Sequence, residues 1–166
     1  MAKPLAAGLP LGALLTTNQV ATAMQPGLHG TTFGGGPLAC AVAIEVLKQM
    51  DKLKGHVSKL GSYFLGKLQG LRAKHPSVNS VRGIGMMLAI ELDSADLAKA
   101  VVANLLANGI LINRTHDTVL RFLPPYIIEK RHVDEVIKAL DEALRAGAKG
   151  ANHERQKGTK RKAVAA

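Results

Sequence analysis

The spacing of apolar residues predicts two helices in the first half of this chain. The clearer one has apolar residues at steps of three and four and ends near Pro76: Val57, Leu60, Phe64, Leu68 and Leu71. An earlier helix begins at Pro37, a residue that suits a first helical turn, and runs to about Met50. Gly55 is a plausible break, so the two stripes are interpreted as separate helices.

Strands follow these helices. Residues 78–82 and 86–92 predict two strands around the glycine turn Gly83-Ile84-Gly85. Residues 110–112 and 119–123 predict two more, and Pro124-Pro125 ends the second of them. These segments indicate a small sheet.

Two further helices complete the pattern. Asp93-Ser94 is typical of a helix start and Asn108-Gly109 of a helix stop, with an apolar stripe between them. The last helix has apolar residues at helical spacing over residues 133–144. Residues 52–145 therefore predict a compact α+β unit with helices on one face of the sheet.

The first fifty residues form a less complete pattern. Glycines and prolines between residues 5 and 15 predict a tight turn without a helix, followed by a short buried strand around Gly12 to Leu15. A glycine loop and the helix from Pro37 follow. This is typical of the end of an α/β layer whose other strands are not in the chain.

Size and composition narrow the class of protein. The chain has 166 residues, 47% of them apolar, which is enough for one domain with a real core. It lacks an 18-residue uncharged apolar run and a signal-peptide pattern, so we expect a cytoplasmic protein without a membrane partner. The single cysteine, Cys40, is expected to be a buried apolar residue, and the six histidines lack metal-site spacing, which predicts no metal.

The net charge of +10 is concentrated at one end. Residues 146–166 hold six Lys or Arg and one Glu, so half of the excess lies there. This segment has almost no bulky apolar residues and is predicted to be a disordered basic tail. A solvated tail is favoured over a nucleic-acid contact, because three Phe, two Tyr and no Trp offer no stacking platform for bases.

One loop has the composition of an anion site. It reads His29-Gly30-Thr31-Thr32-Phe33-Gly34-Gly35-Gly36 and leads directly into the helix from Pro37. Glycines allow close approach of the main chain, hydroxyls add donors, and a helix N-terminus favours negative charge. A phosphate would fit there, although three glycines before a proline also suit a flexible turn.

Five ordered blocks resemble the class III pyridoxal-phosphate aminotransferases, above all the acetylornithine and ornithine aminotransferase group of arginine biosynthesis. They span residues 2–13, 29–41, 81–87, 109–113 and 119–125. The resemblance covers about residues 2–145. It implies α/β plus α+β structure, as in the C-terminal part of the fold type I architecture: the end of a large cofactor-binding domain (1–50) and a complete small α+β domain (51–145).

The resemblance also implies site residues. Lys3 matches the catalytic lysine that binds the cofactor pyridoxal 5′-phosphate covalently, although alone it would be a solvated chain end. Thr32 matches a ligand of the cofactor phosphate and Thr31 a residue near the substrate, both serving the neighbouring subunit of a homodimer. Arg121 matches the residue that binds the substrate α-carboxylate; its alternative is a strand arginine paired to an acid. Arg82 is left open between a functional and a structural role.

The implied activity is transfer of an amino group from an ornithine-like donor to 2-oxoglutarate, with amino-acid and 2-oxoacid substrates. The aspartate that pairs with the cofactor ring nitrogen and the aromatic that stacks on the ring have no match in this sequence. We therefore expect a truncated form with little or no activity alone. Two alternatives stay open: a noncatalytic basic interaction module, and another class III reaction such as 4-aminobutyrate transamination or racemase or aminomutase chemistry.

Overall fold

The structure is a computed structural model that describes the backbone of residues 1–163 and the side chains of residues 1–147. Its elements in chain order are a 3-10 helix Lys3–Ala6, α1 Asn18–Ala21, α2 Pro37–Lys74, β1 Val78–Ile84, β2 Met87–Leu92, α3 Ala95–Ala107, β3 Asn113–Thr115, β4 Val119–Phe122 and α4 Lys130–Ala163. The chain divides into two compact units, Met1–Lys54 and Gly55–Ala166. Within the described residues, no helix has the length and apolarity that a membrane crossing requires.

The second unit is built on a four-stranded antiparallel sheet in the order β1-β2-β4-β3. Alternate residues of β2, namely Leu88, Ile90 and Leu92, are buried, and Leu120 and Phe122 continue the same face on β4. They join one apolar cluster with residues of α2, α3 and α4. The predicted arrangement of helices on one face of a small sheet is confirmed.

The hairpin of β1 and β2 depends on glycine. Ile84 pairs with Met87, so Gly85 and Met86 form a two-residue turn. The prediction of a turn over residues 83–85 is therefore wrong in its bounds, because β1 continues through Ile84. Gly85 has φ 54°, a value that hairpin turns require and that glycine adopts without strain. Helix α2 passes so close to this turn that a Cβ on Gly61 would lie 2.3 Å from the Gly85 carbonyl oxygen.

Helix α3 begins and ends where the sequence predicts. The Ser94 hydroxyl accepts a hydrogen bond from the Leu97 backbone N–H at 3.2 Å, which satisfies one of the free donors of the first turn. Asn108 caps the other end, and Gly109 follows with φ 77°.

Helix α2 is continuous from Pro37 to Lys74, so the predicted break at Gly55 is wrong. A single glycine costs a helix about 1 kcal/mol relative to alanine, and 38 residues of mostly good helix formers outweigh that cost. The predicted start at Pro37 and the end before Pro76 are confirmed.

The first unit lacks the predicted strand around Gly12 to Leu15, and Leu14 and Leu15 are 77% and 72% exposed. Its residues have the right composition, but a strand needs a neighbour to pair with, and this unit has no other strand among the described residues. The expectation of no helix over residues 5–15 needs one correction, since the 3-10 helix includes Leu5 and Ala6.

Two boundaries also differ from the sequence-based expectation. The strand predicted over residues 110–112 is wrong, since the strand is Asn113–Thr115 (β3). Ile110 continues the cap of α3 instead: its backbone N–H bonds to the Leu105 carbonyl oxygen at 2.9 Å. The expected disordered tail, residues 146–166, is helical backbone as far as Ala163, where Ala, Lys, Arg and Gln are good helix formers. Residues 164–166 and the side chains from 148 onward lie outside the described residues, so the tail's state in solution stays a prediction.

Candidate functional site

Arg121 lies on the sheet face opposite the apolar core. Its neighbours Leu120 and Phe122 point to the core, and side chains alternate between the two faces of a strand. The strand register places Ala89 opposite Arg121 on one side and Asn113 opposite it on the other, and Arg82 lies beyond Ala89. Two arginines therefore occupy one row of the same face, separated by a small alanine.

These two arginines have different electrostatic surroundings. The Arg82 guanidinium bonds through Nη1 to Glu91 Oε2 at 2.9 Å and to the Ser80 hydroxyl at 2.8 Å. Arg121 is half-buried, and no acidic side chain in the described part of the chain forms an ion pair with it. Its Nε is fully buried without a hydrogen-bond partner. A half-buried cation without a counter-charge is costly, and an anionic ligand would offset that cost.

A cavity of about 470 Å³ lies beside Arg121. Its walls are mostly apolar, and Asn113 and His132 are its other polar residues. The apolar part of the wall comes from the segments on either side of β3 and β4, including Ile110–Ile112 and Leu123–Pro125. An arginine beside mostly apolar walls suits a carboxylate carried on a short carbon chain.

Lys3 is exposed but is not a frayed end. Its backbone φ is 59°, a left-handed conformation that is unusual for a residue with a side chain and more so before a proline. The chain on either side is held in place, because Ala13 N–H donates to the Met1 carbonyl oxygen at 2.8 Å and Leu5 and Ala6 pack on Ala43. Such held, unusual backbone often occurs at functional sites.

The threonine loop has its own local structure. The Thr31 hydroxyl accepts a hydrogen bond from the Gly34 N–H at 3.1 Å, and a Cβ on Gly34 would collide with the Thr31 side chain. Gly35 has φ 73°, and helix α2 begins two residues later. The Thr32 hydroxyl has no protein hydrogen-bond partner among the described residues, so it is available to a ligand near the helix N-terminus.

The first unit provides an amine, Lys3, for an aldehyde and a hydroxyl, Thr32, for a phosphate. These groups match two ends of pyridoxal phosphate. Its only acids are Glu45 and Asp51, and both already pair with lysines on α2, at 3.6 Å to Lys48 and 2.8 Å to Lys54. Each group has the chemistry for one end of the cofactor, and the acids of this unit that could face the ring nitrogen already pair with lysines.

The remaining candidates have structural roles or none. His116 lies in the turn between β3 and β4 with φ 48°, and His29 is exposed. Cys40 is half-buried rather than buried. No cluster of three metal-ligating side chains occurs in the portion that the structure describes. Asn113, to which the sequence assigned no role, is exposed and lies in a strand, where asparagine is uncommon.

This chain is similar to known proteins. The family profile described as aminotransferase class III matches residues 1–144. Acetylornithine aminotransferase from Methanocaldococcus jannaschii is 46% identical over 149 residues, and that from Aquifex aeolicus is 44% identical over 144. Each match covers 87% of this chain and 36% of the relative, so the chain spans about a third of the length of these relatives.

Solved structures of aminotransferases also superpose on this chain. Acetylornithine aminotransferase from Elizabethkingia anophelis superposes with a TM-score of 0.73 at 32% identity, covering 87% of this chain and 39% of that one. An ornithine aminotransferase from Toxoplasma gondii, whose active site has partial occupancy of PLP, superposes with a TM-score of 0.69 at 35% identity. That match covers 79% of this chain and 32% of the other.

Proposed function

Since this chain belongs to the class III aminotransferase family, we propose that it contributes to transfer of an amino group from acetylornithine or ornithine to 2-oxoglutarate. The observation that carries this proposal is the half-buried Arg121, which lacks an acid partner and lies at the wall of a mostly apolar cavity. The alternative for a strand arginine such as Arg121 is an ion pair with an acidic side chain. In this structure Arg82 forms such a pair, with Glu91.

Arg121 binds the α-carboxylate in this proposal. A guanidinium has five donors in a planar fork that matches a carboxylate through two parallel hydrogen bonds. Such a clamp sets which bond at the substrate Cα faces the reacting group, because it fixes the substrate at a second point. Ornithine-like donors and 2-oxoglutarate both carry a carboxylate next to the reacting carbon, so one arginine serves both half-reactions.

Lys3 and Thr32 would hold the cofactor. Pyridoxal phosphate, the cofactor of the family, supplies an aldehyde and an electron-withdrawing ring when it is bound. The Lys3 amine would hold the aldehyde end of the cofactor, and the same amine would move the proton at the substrate Cα. The Thr32 hydroxyl would bind the phosphate, and Thr31, the preceding residue, would lie near the substrate. We propose that the threonine loop serves a second subunit of a homodimer.

The first experiment tests the arginine clamp in the full 166-residue chain. N-acetyl-L-ornithine is titrated while the Arg121 Nε–H resonance is followed by NMR, and N-acetylputrescine, which lacks the carboxylate, is the control ligand. Arg121→Ala should weaken binding of N-acetyl-L-ornithine at least about tenfold, because a charge-assisted pair is lost. Arg82→Ala is the matched variant and should leave the affinity within about twofold, since Glu91 already pairs with that arginine. Equal effects of the two substitutions would contradict the proposal.

A second experiment tests the activity of the chain alone. We expect little or no turnover of N-acetyl-L-ornithine with 2-oxoglutarate, because the first unit offers no free acid for the cofactor ring nitrogen. Glutamate formation is the readout. Sustained turnover by the purified chain would contradict this expectation, and amino-donor conversion without consumption of 2-oxoglutarate would favour racemase or aminomutase chemistry.

A further inference from the structure

Asn113 is one of the two direct cross-strand neighbours of Arg121, and Ala89 is the other. The two residues are directly paired in the register of β3 and β4. Side chains paired in this way have Cβ atoms about 4.5–5.5 Å apart and point to the same side of the sheet. Asn113 and Arg121 also both line the cavity. A ligand atom bound to the Arg121 guanidinium is therefore within reach of the Asn113 amide.

The Asn113 amide has no structural role that the geometry shows. In the part of the chain that is described, its side chain has no protein hydrogen-bond partner. Asn108 is different, because its amide bonds to the Asn104 carbonyl oxygen at 2.9 Å and caps α3. Asparagine is depleted in strands, and Asn113 occupies the first position of a three-residue strand rather than a turn.

The chemistry of a carboxylate leaves room for a second donor. Its two oxygens accept about four hydrogen bonds, and a bidentate arginine provides only two of them. An amide NH₂ is a neutral donor that adds a bond without adding charge.

We propose that Asn113 is a carboxylate-binding residue, whose side-chain NH₂ donates to the substrate carboxylate held by Arg121. This inference rests on the proposed role of Arg121 and names a second donor in the same site.

The test uses the full chain and N-acetyl-L-ornithine, with N-acetylputrescine as the control ligand. The Asn113 side-chain NH₂ and Arg121 Nε–H resonances are followed in one NMR titration. We expect both to shift with the same midpoint for the ligand with a carboxylate. Asn113→Ala should raise the dissociation constant about three- to tenfold, the loss of one neutral hydrogen bond. Asn113→Asp should raise it further, because its charge competes for Arg121.

The matched control is Asn79→Ala. Asn79 is an exposed asparagine in β1, and the bulge between Val78 and Ser80 leaves it without a cross-strand partner. This substitution should leave the dissociation constant unchanged. Urea unfolding of each variant measures stability separately, and a binding loss without a stability loss supports the proposed contact.

The outcomes separate this inference from the function on which it rests. If Arg121→Ala weakens binding and Asn113→Ala does not, the second donor is refuted and the arginine clamp stands. If neither substitution changes binding, or if the unaltered chain does not discriminate between the two ligands, both ideas are refuted. Equal weakening by Asn79→Ala and Asn113→Ala would also overturn the role of Asn113.

Discussion

The two units of this chain bury their apolar residues to very different extents. The second unit, Gly55–Ala166, has a cluster of eighteen buried apolar residues drawn from the sheet and three helices. The first unit, Met1–Lys54, has a cluster of three, namely Leu5, Ala6 and Ala43. Large apolar side chains of the first unit are exposed instead, Phe33 at 84% among them. The second unit therefore has an extensive core of its own, whereas the first leaves several large apolar side chains exposed.

The largest expected effect comes from truncating buried leucines of the second unit, compared with exposed leucines of the first. Leu68→Ala and Leu140→Ala should each lower the free energy of unfolding by about 2–5 kcal/mol, because both side chains are fully buried. Leu14→Ala and Leu38→Ala should change it by less than about 0.5 kcal/mol, since both side chains are mostly exposed. Urea unfolding followed by far-UV circular dichroism measures all four.

Tyrosine fluorescence sharpens this measurement. Both tyrosines, Tyr63 and Tyr126, lie in the second unit and contact its core, so their emission reports the unfolding of that unit. A stability loss for Leu14→Ala or Leu38→Ala as large as that for Leu68→Ala would show that the first unit buries those residues in solution. The stated difference in burial of apolar side chains between the two units would then be wrong.

An intermediate effect is expected at the ion-pair network between α2 and α4. Asp141 accepts from His75 Nε2 at 2.5 Å and pairs with Arg145 Nη2 at 2.7 Å. The hydrogen bond from His75, with the charges of Arg145 and Lys74, holds the pKa of Asp141 below its usual value of 3.8. A depressed carboxyl pKa stabilises the fold above the unfolded-state value and loses that contribution as the pH falls through the folded-state value.

We therefore expect Asp141→Asn to lower stability by about 1.5–3 kcal/mol at pH 7. The difference between the variant and the unaltered chain should shrink as the pH falls below about 4. Urea midpoints between pH 2.5 and 7 provide the measurement. Asp51→Asn is the control from the first unit, because its partner Lys54 is an exposed neighbour on the same helix. A constant difference at every pH would refute the assignment to Asp141.

The smallest expected effect compares two helix caps. Ser94 caps α3, which packs on the core, and Thr17 caps the four-residue α1, which has no buried residue. Ser94→Ala should cost about 1 kcal/mol, whereas Thr17→Ala should have no measurable effect on global unfolding. Thermal unfolding of the two variants decides the comparison. A measurable loss for Thr17→Ala alone would indicate that α1 contributes to the stable core.

Much of the second unit could be predicted from the sequence. The helix start at Ser94, the stop at Gly109 and the hairpin at Gly85 depend on residues only a few positions apart. The first unit was predicted less well for the same reason. A strand around Gly12 to Leu15 needs a partner strand, and the described residues of this unit supply none.

For the candidate site, too, the sequence indicated individual residues but not the contacts between distant ones. The sequence identified Arg121 as a carboxylate ligand through its resemblance to a family, and that role stays a proposal, as do those of Lys3, Thr31 and Thr32. Without that resemblance, the sequence could not show which of Arg121 and Arg82 is free to bind a carboxylate, since both are strand arginines. The pairing of Glu91 with Arg82 depends on how β1 and β2 are aligned.

The sequence by itself determined the local features of this protein, because caps, turns and apolar stripes follow from neighbouring residues and from the geometry of a single helix or strand. Only the tertiary structure decided that, of Arg82 and Arg121, it is Arg82 that pairs with an acid, and that Asn113 lies opposite Arg121. It also decided that α2 continues through Gly55. Strand register and packing bring together groups far apart in the chain, and their electrostatics depend on that proximity.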